Sequence, residues 1–478
     1  MAAPICIILR SARAAWIVAL LVTWGAFAAS VLLLLHVIDH GTITYAMGNW
    51  APPWGIEYRI DLLSGMVLVT VSAVGALSMI FARRSVAAEI PSDRVYLFYA
   101  MYLLCFTGLM GIPITGDAFN LFVFLEISAL SSYVLISLGR DRRALMAAFR
   151  YLIMGTLGAT FYIIGVGLMY MMTGTLNMAD LAARIPDLIH VRTIQVALAF
   201  LTVGISLKLA LFPLHLWLPN AYTYAPSAVS VFLAATSTKI AVYALIRTLY
   251  TAFGGPAMFA TMPIDEMLLG FAMLSMIAAS VVAIFQDDVK RLLAYSSVSQ
   301  IGYMVLGLSL GTAEGLSGSI VHIFNHAMMK ALLFMAIGCV VYRVGGVRLH
   351  EVAGFGRRMP VTAAAMVVGG LSLIGAPLTV GFVTKWVLLE AAFAKGWWPV
   401  MAVIVASGLL ALIYVWRLVE VAYFRTPSPA VAGVREAPLS MLAPLLVLAV
   451  INLVFGIDGT ITSGLALDAA RALIGSAP

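Results

Sequence analysis

The chain has 478 residues, 63% of them hydrophobic and 10% charged, and a formal net charge of +7. A soluble domain carries about 25% charged residues, and a membrane barrel alternates apolar with polar residues. Long unbroken apolar runs exclude both and leave an all-α polytopic membrane protein.

The positive charge does not point to nucleic acid, because the basic residues sit in short loops with no tract or aromatic-interleaved patch. Cys6, Cys105 and Cys339 lie in apolar stretches with no CxxC pair, so no iron–sulfur or zinc site is expected. A phosphate-binding or dinucleotide glycine fingerprint between a strand and a helix is also missing. The expectation is a chain without a cofactor of its own.

A span needs about 20 apolar residues. Thirteen predicted spans follow in order: 14–36, 61–82, 95–112, 117–138, 145–172, 193–214, 225–250, 265–285, 293–311, 316–343, 361–394, 398–422 and 438–456. Ahead of them Ala2 to Leu9 is apolar but too short to cross, and Arg10 and Arg13 follow at once. A secretory signal has the reverse order, basic residues before the apolar run. Alternate loops collect 17 basic residues, from Arg10 to Arg435, against 5 in the opposite set (Arg59, Arg184, Arg192, Lys395 and Arg471). That bias predicts a multi-pass protein of the cell (inner) membrane, N-terminus cytoplasmic and C-terminus outside.

A charged group at the bilayer centre costs about 2.5–3.5 kcal/mol on insertion scales. Yet Glu126 lies in FNLFVFLEISALSSYVLI, and four of the six lysines (Lys208, Lys239, Lys330 and Lys385) lie in apolar helices. Together they predict a path for protons or small cations. An apolar setting disfavours a charged lysine, and a nearby carboxylate restores it. Glu126 is the expected carboxylate and Lys208 its switched partner.

The sixth span, GISLKLALFPLHLWLP, places Pro213 five residues after Lys208. The eleventh, LIGAPLTVGFVTKWVLL, places Pro377 and Gly381 just before Lys385. Proline removes a backbone donor, and breaks in lipid are tolerated mainly where they line a wet cavity. A broken helix beside a lysine in each half is the pattern of transporter repeats.

Lys239 has small neighbours (Ala234, Ala235 and Ser237) that let water or a helix approach. Arg247, two turns on, reads as snorkelling to an interface. Asp287, Asp288, Lys290 and Arg291 read as a structural loop network, and Arg417 with Glu420 as a local i,i+3 pair. In IVHIFNHAMMKALLF, His322, His326 and Lys330 fall at i, i+4 and i+8 on one helix face, which suits a proton relay. Zinc is not expected there, because Lys330 would repel it and no carboxylate is near.

At these residues the chain resembles the antiporter-like subunits of complex I, membrane-bound hydrogenases and Mrp cation/proton antiporters. The resemblance covers roughly 45–456 and is carried, in order, by FNLFVFLEIS, LKLALFPLHLWLPNAYTYAPSAVS, QDDVKRLLAYSSVSQIGYM, HIFNHAMMKALLF and GAPLTVGFVTKW. PPWGIEYRIDLLS and LPNAYTYAPSAVS are most similar to the D subunit of Mrp antiporters; complex I relatives more often have aspartate where Asn220 stands.

The resemblance implies two inverted five-helix repeats, each with a discontinuous helix: N-terminal helices over 1–112, repeats over 113–260 and 261–425, and a C-terminal helix and tail over 426–478. Glu126 and Lys208 would form the first functional pair. Lys239, His322, His326 and Lys330 would continue a hydrated axis toward Lys385. The implied function is the proton-translocating subunit of a hetero-oligomeric Na+/H+ antiporter, with the membrane-arm subunit of a complex I-like NADH-quinone oxidoreductase or membrane-bound hydrogenase as the alternative. Only the alternative would make it part of an enzyme. Family members usually have fourteen helices with both ends outside. Thirteen with the N-terminus inside is what loss of the first helix would produce.

Overall fold

The structure is a computed structural model and describes residues 2–475. Twelve helices among these residues are long and apolar enough to cross a membrane. Their starts follow local chemistry. Asp61, Asp117, Asp288 and Thr312 each cap a helix by accepting from the backbone amide three residues on, at Ser64, Asn120, Arg291 and Gly315. The eleventh predicted segment, 361–394, is two 15-residue helices, Pro360–Ile374 and Val380–Ala394, each too short to cross alone.

The sixth predicted span, 193–214, ends early, at Leu209. Ala210 then adopts a left-handed backbone with φ of +61°, and its amide and that of Leu211 close on Leu207 and Ser206 carbonyls. The chain turns through Pro213 and resumes as the short helix Trp217–Tyr224. The second break matches it: Leu378, next to Pro377, has φ of +67°. A non-glycine residue held left-handed costs about 1–2 kcal/mol, so both breaks are imposed by their surroundings. Gly381 lies just inside the second half-helix rather than in the break. A Cβ there would stand 1.8 Å from the Ser372 carbonyl oxygen, so the two halves cross where no side chain fits.

The helices that carry the interior lysines are central. The spans Ser227–Ala252, with Lys239, and Ala313–Val344, with Lys330, are 94% and 78% buried over their apolar windows, against 17% for Ala12–His40 at the periphery. Helix Arg143–Thr173 meets helix Arg192–Leu209 through Gly158 and Gly204. A Cβ on Gly204 would lie 2.7 Å from both the Gly158 carbonyl and the Tyr162 amide nitrogen.

Loops that alternate in sequence gather at two ends. At one, strands β1 (Ile43–Ala46) and β2 (Glu57–Ile60) pair antiparallel, with Ile43 opposite Ile60 and Ala46 opposite Glu57. Tyr58 bridges to Thr115, and Asp117 to Asn177. At the other, arginine-rich end, Asp288 bridges to Arg348, Gly354 donates to the Val421 carbonyl, and Arg343 donates to the Glu436 carbonyl. Neither the hairpin nor the 16-residue helix Thr460–Gly475, which packs back on helices Ala313–Val344 and Leu62–Glu89, was expected from sequence. Ala2–Leu9 is helical and packs on helix Val95–Ile114.

The glycine contact sets a stability contrast. Gly204→Val should cost about 1–3 kcal/mol by overpacking. Gly270→Ala, with nothing within 4 Å of its Cβ, should be neutral or stabilise by up to about 1 kcal/mol. Thermal unfolding of the detergent-solubilised protein checks both, and equal melting points for the two variants would contradict the close crossing.

Candidate functional site

Lys208 stands in the last turn before the first break and donates to Glu126 Oε1 at 2.5 Å. The side chains are 9% and 21% exposed. Eighty-two residues separate them in sequence, and they meet because helices Ala118–Ser137 and Arg192–Leu209 both pack on helix Arg143–Thr173. The carbonyl of Leu207, released at the helix end, accepts from Trp217 Nε1 at 3.0 Å. The Trp217 ring stacks on Tyr151 at 4.0 Å, and Tyr151 stands edge-on to Tyr133.

Lys239 is fully buried and donates to the Ala234 carbonyl of its own helix and, at 3.4 Å, to Thr238. Its charge acts on His322, His326 and Lys330 across the interface of helices Ser227–Ile246 and Ala313–Val344. Lys330, equally buried, donates to the Leu293 carbonyl at 2.8 Å and to Ser296 Oγ at 2.6 Å. His322 and His326 stack nearly parallel at 5.5 Å, and none of their four ring nitrogens has a protein hydrogen-bond partner.

Lys385 crosses the second break to the carbonyls of Leu373 and Ile374, the last residues of the first half-helix. Its ammonium lies 5.2 Å from the Tyr303 ring centre, and Tyr303 is 5.8 Å from His322. The seven residues singled out in sequence thus form a paired end at Glu126 and Lys208, a lysine–histidine cluster, and a third station at Lys385.

Several members of this row were not read from sequence. Ser296 solvates Lys330, and Tyr303 stands between His322 and Lys385. Asn325, between the two histidines in sequence, ties their helix to the second half-helix through the Val380 carbonyl (2.7 Å) and Thr384 (2.9 Å). His215, in the first break, is buried against Phe212 and Tyr295, with Nδ1 unpartnered. A polar residue inside LFPLHLWLP was the available signal.

Three sequence expectations are corrected. Arg247 does not reach for an interface: it is buried and paired with Asp61. Arg417 bonds Asp287 and the carbonyls of Ile284 and Gln286 rather than Glu420, which takes Arg425. Asp287, Asp288, Lys290 and Arg291 are a looser set than expected: Asp288 accepts from the Arg291 amide and feels the charges of Lys290 and Arg291, while Lys290 donates to the Ala225 carbonyl and Asp287 takes Arg417.

A cavity opens at each end of the helix bundle. One of about 390 Å³ beside the hairpin is lined by Glu57, Arg59, Asp61, Tyr243 and Arg247. One of about 910 Å³ at the arginine-rich end is lined by Arg143, Asp288, Lys290 and Arg291. There, hydrogen bonds from Arg143 hold the Asp141 carboxyl below its ordinary range, while burial pushes the Asp288 carboxyl up.

Comparison with known proteins gives a consistent result. The family described as NADH:quinone oxidoreductase/Mrp antiporter, TM matches residues 115–411. The N subunit of NADH-quinone oxidoreductase from Desulforudis audaxviator is 43% identical over 86% of this chain and 84% of its own. The D subunit of the Na(+)/H(+) antiporter from Alkalihalophilus pseudofirmus is 32% identical over 90% and 86%. In structure the chain resembles one in the Mrp complex from Dietzia, with a TM-score of 0.91 and 27% identity over 99% of this chain and 95% of that one. It also resembles one in an archaeal membrane-bound sulfane sulfur reductase, with a TM-score of 0.88 and 32% identity over 96% and 92%.

The pair makes a stability prediction. Glu126→Gln leaves Lys208 without its counter-charge and should cost about 3–5 kcal/mol, and adding Lys208→Met should restore most of it. Thermal unfolding of the single and double variants checks this. A double variant no more stable than Glu126→Gln would mean that the two charges do not depend on each other.

Proposed function

Because the chain belongs to the NADH:quinone oxidoreductase/Mrp antiporter transmembrane family, we propose that it is the proton-translocating membrane subunit of a multi-subunit antiporter that exchanges Na+ for protons. The observation that carries this is the row of interior cationic groups from the Glu126–Lys208 pair through Lys239, Lys330, His326 and His322 to Lys385.

Such groups are costly in an apolar interior and mark ion pathways. Buried histidine nitrogens without a protein partner are satisfied by water, which supports a hydrated relay. Each interior ammonium has a partner that can let go: a carboxylate for Lys208, carbonyls and hydroxyls for the rest. A proton arriving at one lysine raises the energy of charge on the next, which is how a signal passes along the row. Pro213 and Pro377 shape the breaks that leave Lys208 in the last turn of one helix and Lys385 facing the carbonyl end of another, and Gly381 lets the second pair of half-helices cross. No metal takes part in this reading.

The partners are the other subunits of a hetero-oligomeric complex. The arginine-rich end faces the cytoplasm, which puts the N-terminal end of the chain inside and the C-terminal end outside, in the cell membrane; the charge bias of the loops supports this. Residues 113–260 and 261–425 are the two inverted repeats, each holding one broken helix beside a lysine.

A second reading is the proton-pumping membrane-arm subunit of a redox complex. The 43% identity to a subunit named for NADH-quinone oxidoreductase favours it.

Everted vesicles from an antiporter-deficient strain, carrying the complete set of subunits, separate the two. With no electron donor, addition of sodium, potassium or lithium should dissipate an imposed pH gradient, and Lys208→Ala should lose this while still assembling. Acidification that requires an electron donor and is lost in Lys208→Ala would instead establish the second reading. Normal transport by Lys208→Ala or Glu126→Ala would remove the proposed axis altogether.

A further inference from the structure

We propose that the cavity beside the hairpin is the outward mouth of the proton path, and that the Asp61–Arg247 ion pair is the gate between this mouth and Lys239. This rests on the proton-translocating reading and on the outward placement of the hairpin end.

Lys239, Tyr243 and Arg247 fall at i, i+4 and i+8 on helix Ser227–Ala252 and share one face. Lys239 is at the buried cluster, and Tyr243 and Arg247 are in the wall of the cavity. The face is therefore a continuous polar track from solvent to the cluster, in a span whose apolar window is 94% buried.

The track is closed by a knot of hydrogen bonds. Arg247 Nε donates to the Tyr243 hydroxyl at 2.8 Å, and Nη2 donates to Ser64 Oγ at 2.9 Å and to the Asp61 carboxylate. Tyr243 and Ser64 lie 3.1 Å apart, and the Tyr243 hydroxyl also reaches the Pro113 carbonyl at 3.2 Å. Asp61 and Ser64 share Nη2, and the Ser64 amide donates to Asp61 Oδ1 at 3.0 Å, so the serine hydroxyl need only turn to meet the carboxylate. Lys239 points the other way, to Ala234, so the ammonium and the phenol one turn apart are not joined in this state. From Arg247 to Ala252 the helix widens to a π-turn, a distortion frequent at functional positions.

A pair that served only to fasten helix Leu62–Glu89 to helix Ser227–Ile246 would be sealed in a dry seam. Here the Asp61 side chain is 21% exposed and faces a cavity. The other charged groups there are Arg59 and Glu57, and Glu57 is held by Asn177 Nδ2 at 2.8 Å.

The step balances. When Lys239 swings to Tyr243, its ammonium gives a proton to the phenol oxygen as the phenol passes its own to Ser64, and Ser64 passes one to the Asp61 carboxylate. Asp61, now neutral, releases Arg247, and on giving the proton to water in the cavity it takes the guanidinium back. Lys239 is left neutral, Tyr243, Ser64 and Asp61 end as they began, and one proton has left the interior.

The test uses the whole complex in right-side-out vesicles. The native cysteines are buried, so Ala182→Cys, a wall position of the cavity outside the knot, gives one addressable thiol. A membrane-impermeant cationic methanethiosulfonate added outside should label it and remove most of the transport measured before labelling. Labelling only from the cytoplasmic side, no labelling, or full transport after outside labelling would each overturn the proposal. Asp61→Asn should lower transport about a hundredfold or more, the scale of losing one positioned proton-transfer group, and Asp61→Glu should recover most of it. Lys208→Ala in the same vesicles separates the two levels. If it still transports, the axis itself is wrong; if it is dead while the thiol and Asp61 results fail, only the mouth and gate are wrong.

Discussion

Four ammonium groups inside an apolar interior must be solvated by the protein, and the fold is arranged around how that is done. Glu126 is the only carboxylate bonded to any of the four among the described residues; the others rest on carbonyls and hydroxyls. An α-helix has free carbonyls only in its last turn. Ending a helix in mid-protein therefore creates acceptors where lipid and water supply none. The carbonyls released at Leu373 and Ile374 are the ones Lys385 takes. Break and lysine are one device: the break without the lysine would strand carbonyls, and the lysine without the break would strand a charge.

The two halves solve the problem differently. At the first break the released Leu207 carbonyl goes to Trp217, a neutral and rigid donor fixed by its stack on Tyr151. Lys208 is then left to Glu126, a charge-assisted contact that holds while both groups are ionised. At the second break the lysine takes the carbonyls itself and sits over Tyr303. Its partners are dipoles, which tolerate either protonation state. One half is thus a charge pair that must be broken, and the other a polar cradle that can be filled or emptied. The two breaks therefore differ in kind, one closed by opposite charges and the other by dipoles.

Much of this was legible in sequence because charge is scarce there. In a chain with 10% charged residues, a glutamate and four lysines inside apolar runs stand out; Glu126 was the candidate carboxylate, and its pairing with Lys208 across 82 residues was what the family resemblance implied. Helical spacing placed His322, His326 and Lys330 on one face, and proline placed the breaks. Asp61 and Arg247 were not legible as a pair. An aspartate before an apolar run is an ordinary helix cap, and an arginine near a span's end ordinarily snorkels. The i,i+3 reading of Arg417 with Glu420 failed because the carbonyls of Ile284 and Gln286, released at the end of helix Ile264–Ile284, together with Asp287, offer a guanidinium more than one flexible carboxylate does. Ser296 and Tyr303 carry no sequence signal, because serine and tyrosine are common in membrane helices and only the fold puts them against Lys330 and Lys385.

The same scarcity limits what the row can do. Between Glu126 and Lys385 one carboxylate faces four lysines and two histidines. At interior distances and low dielectric each unbalanced positive charge acts strongly on the next. Lys239 acts on His322, His326 and Lys330, and Lys385 acts on His322. A charge placed at one station is therefore felt at the others. Among the described residues no station has a counter-charge of its own to isolate it except Lys208. Opening the Glu126–Lys208 pair is therefore the one local change that alters the charge balance of the whole row. Among these stations the first break is therefore the place where parting one contact changes the electrostatic setting of all the others.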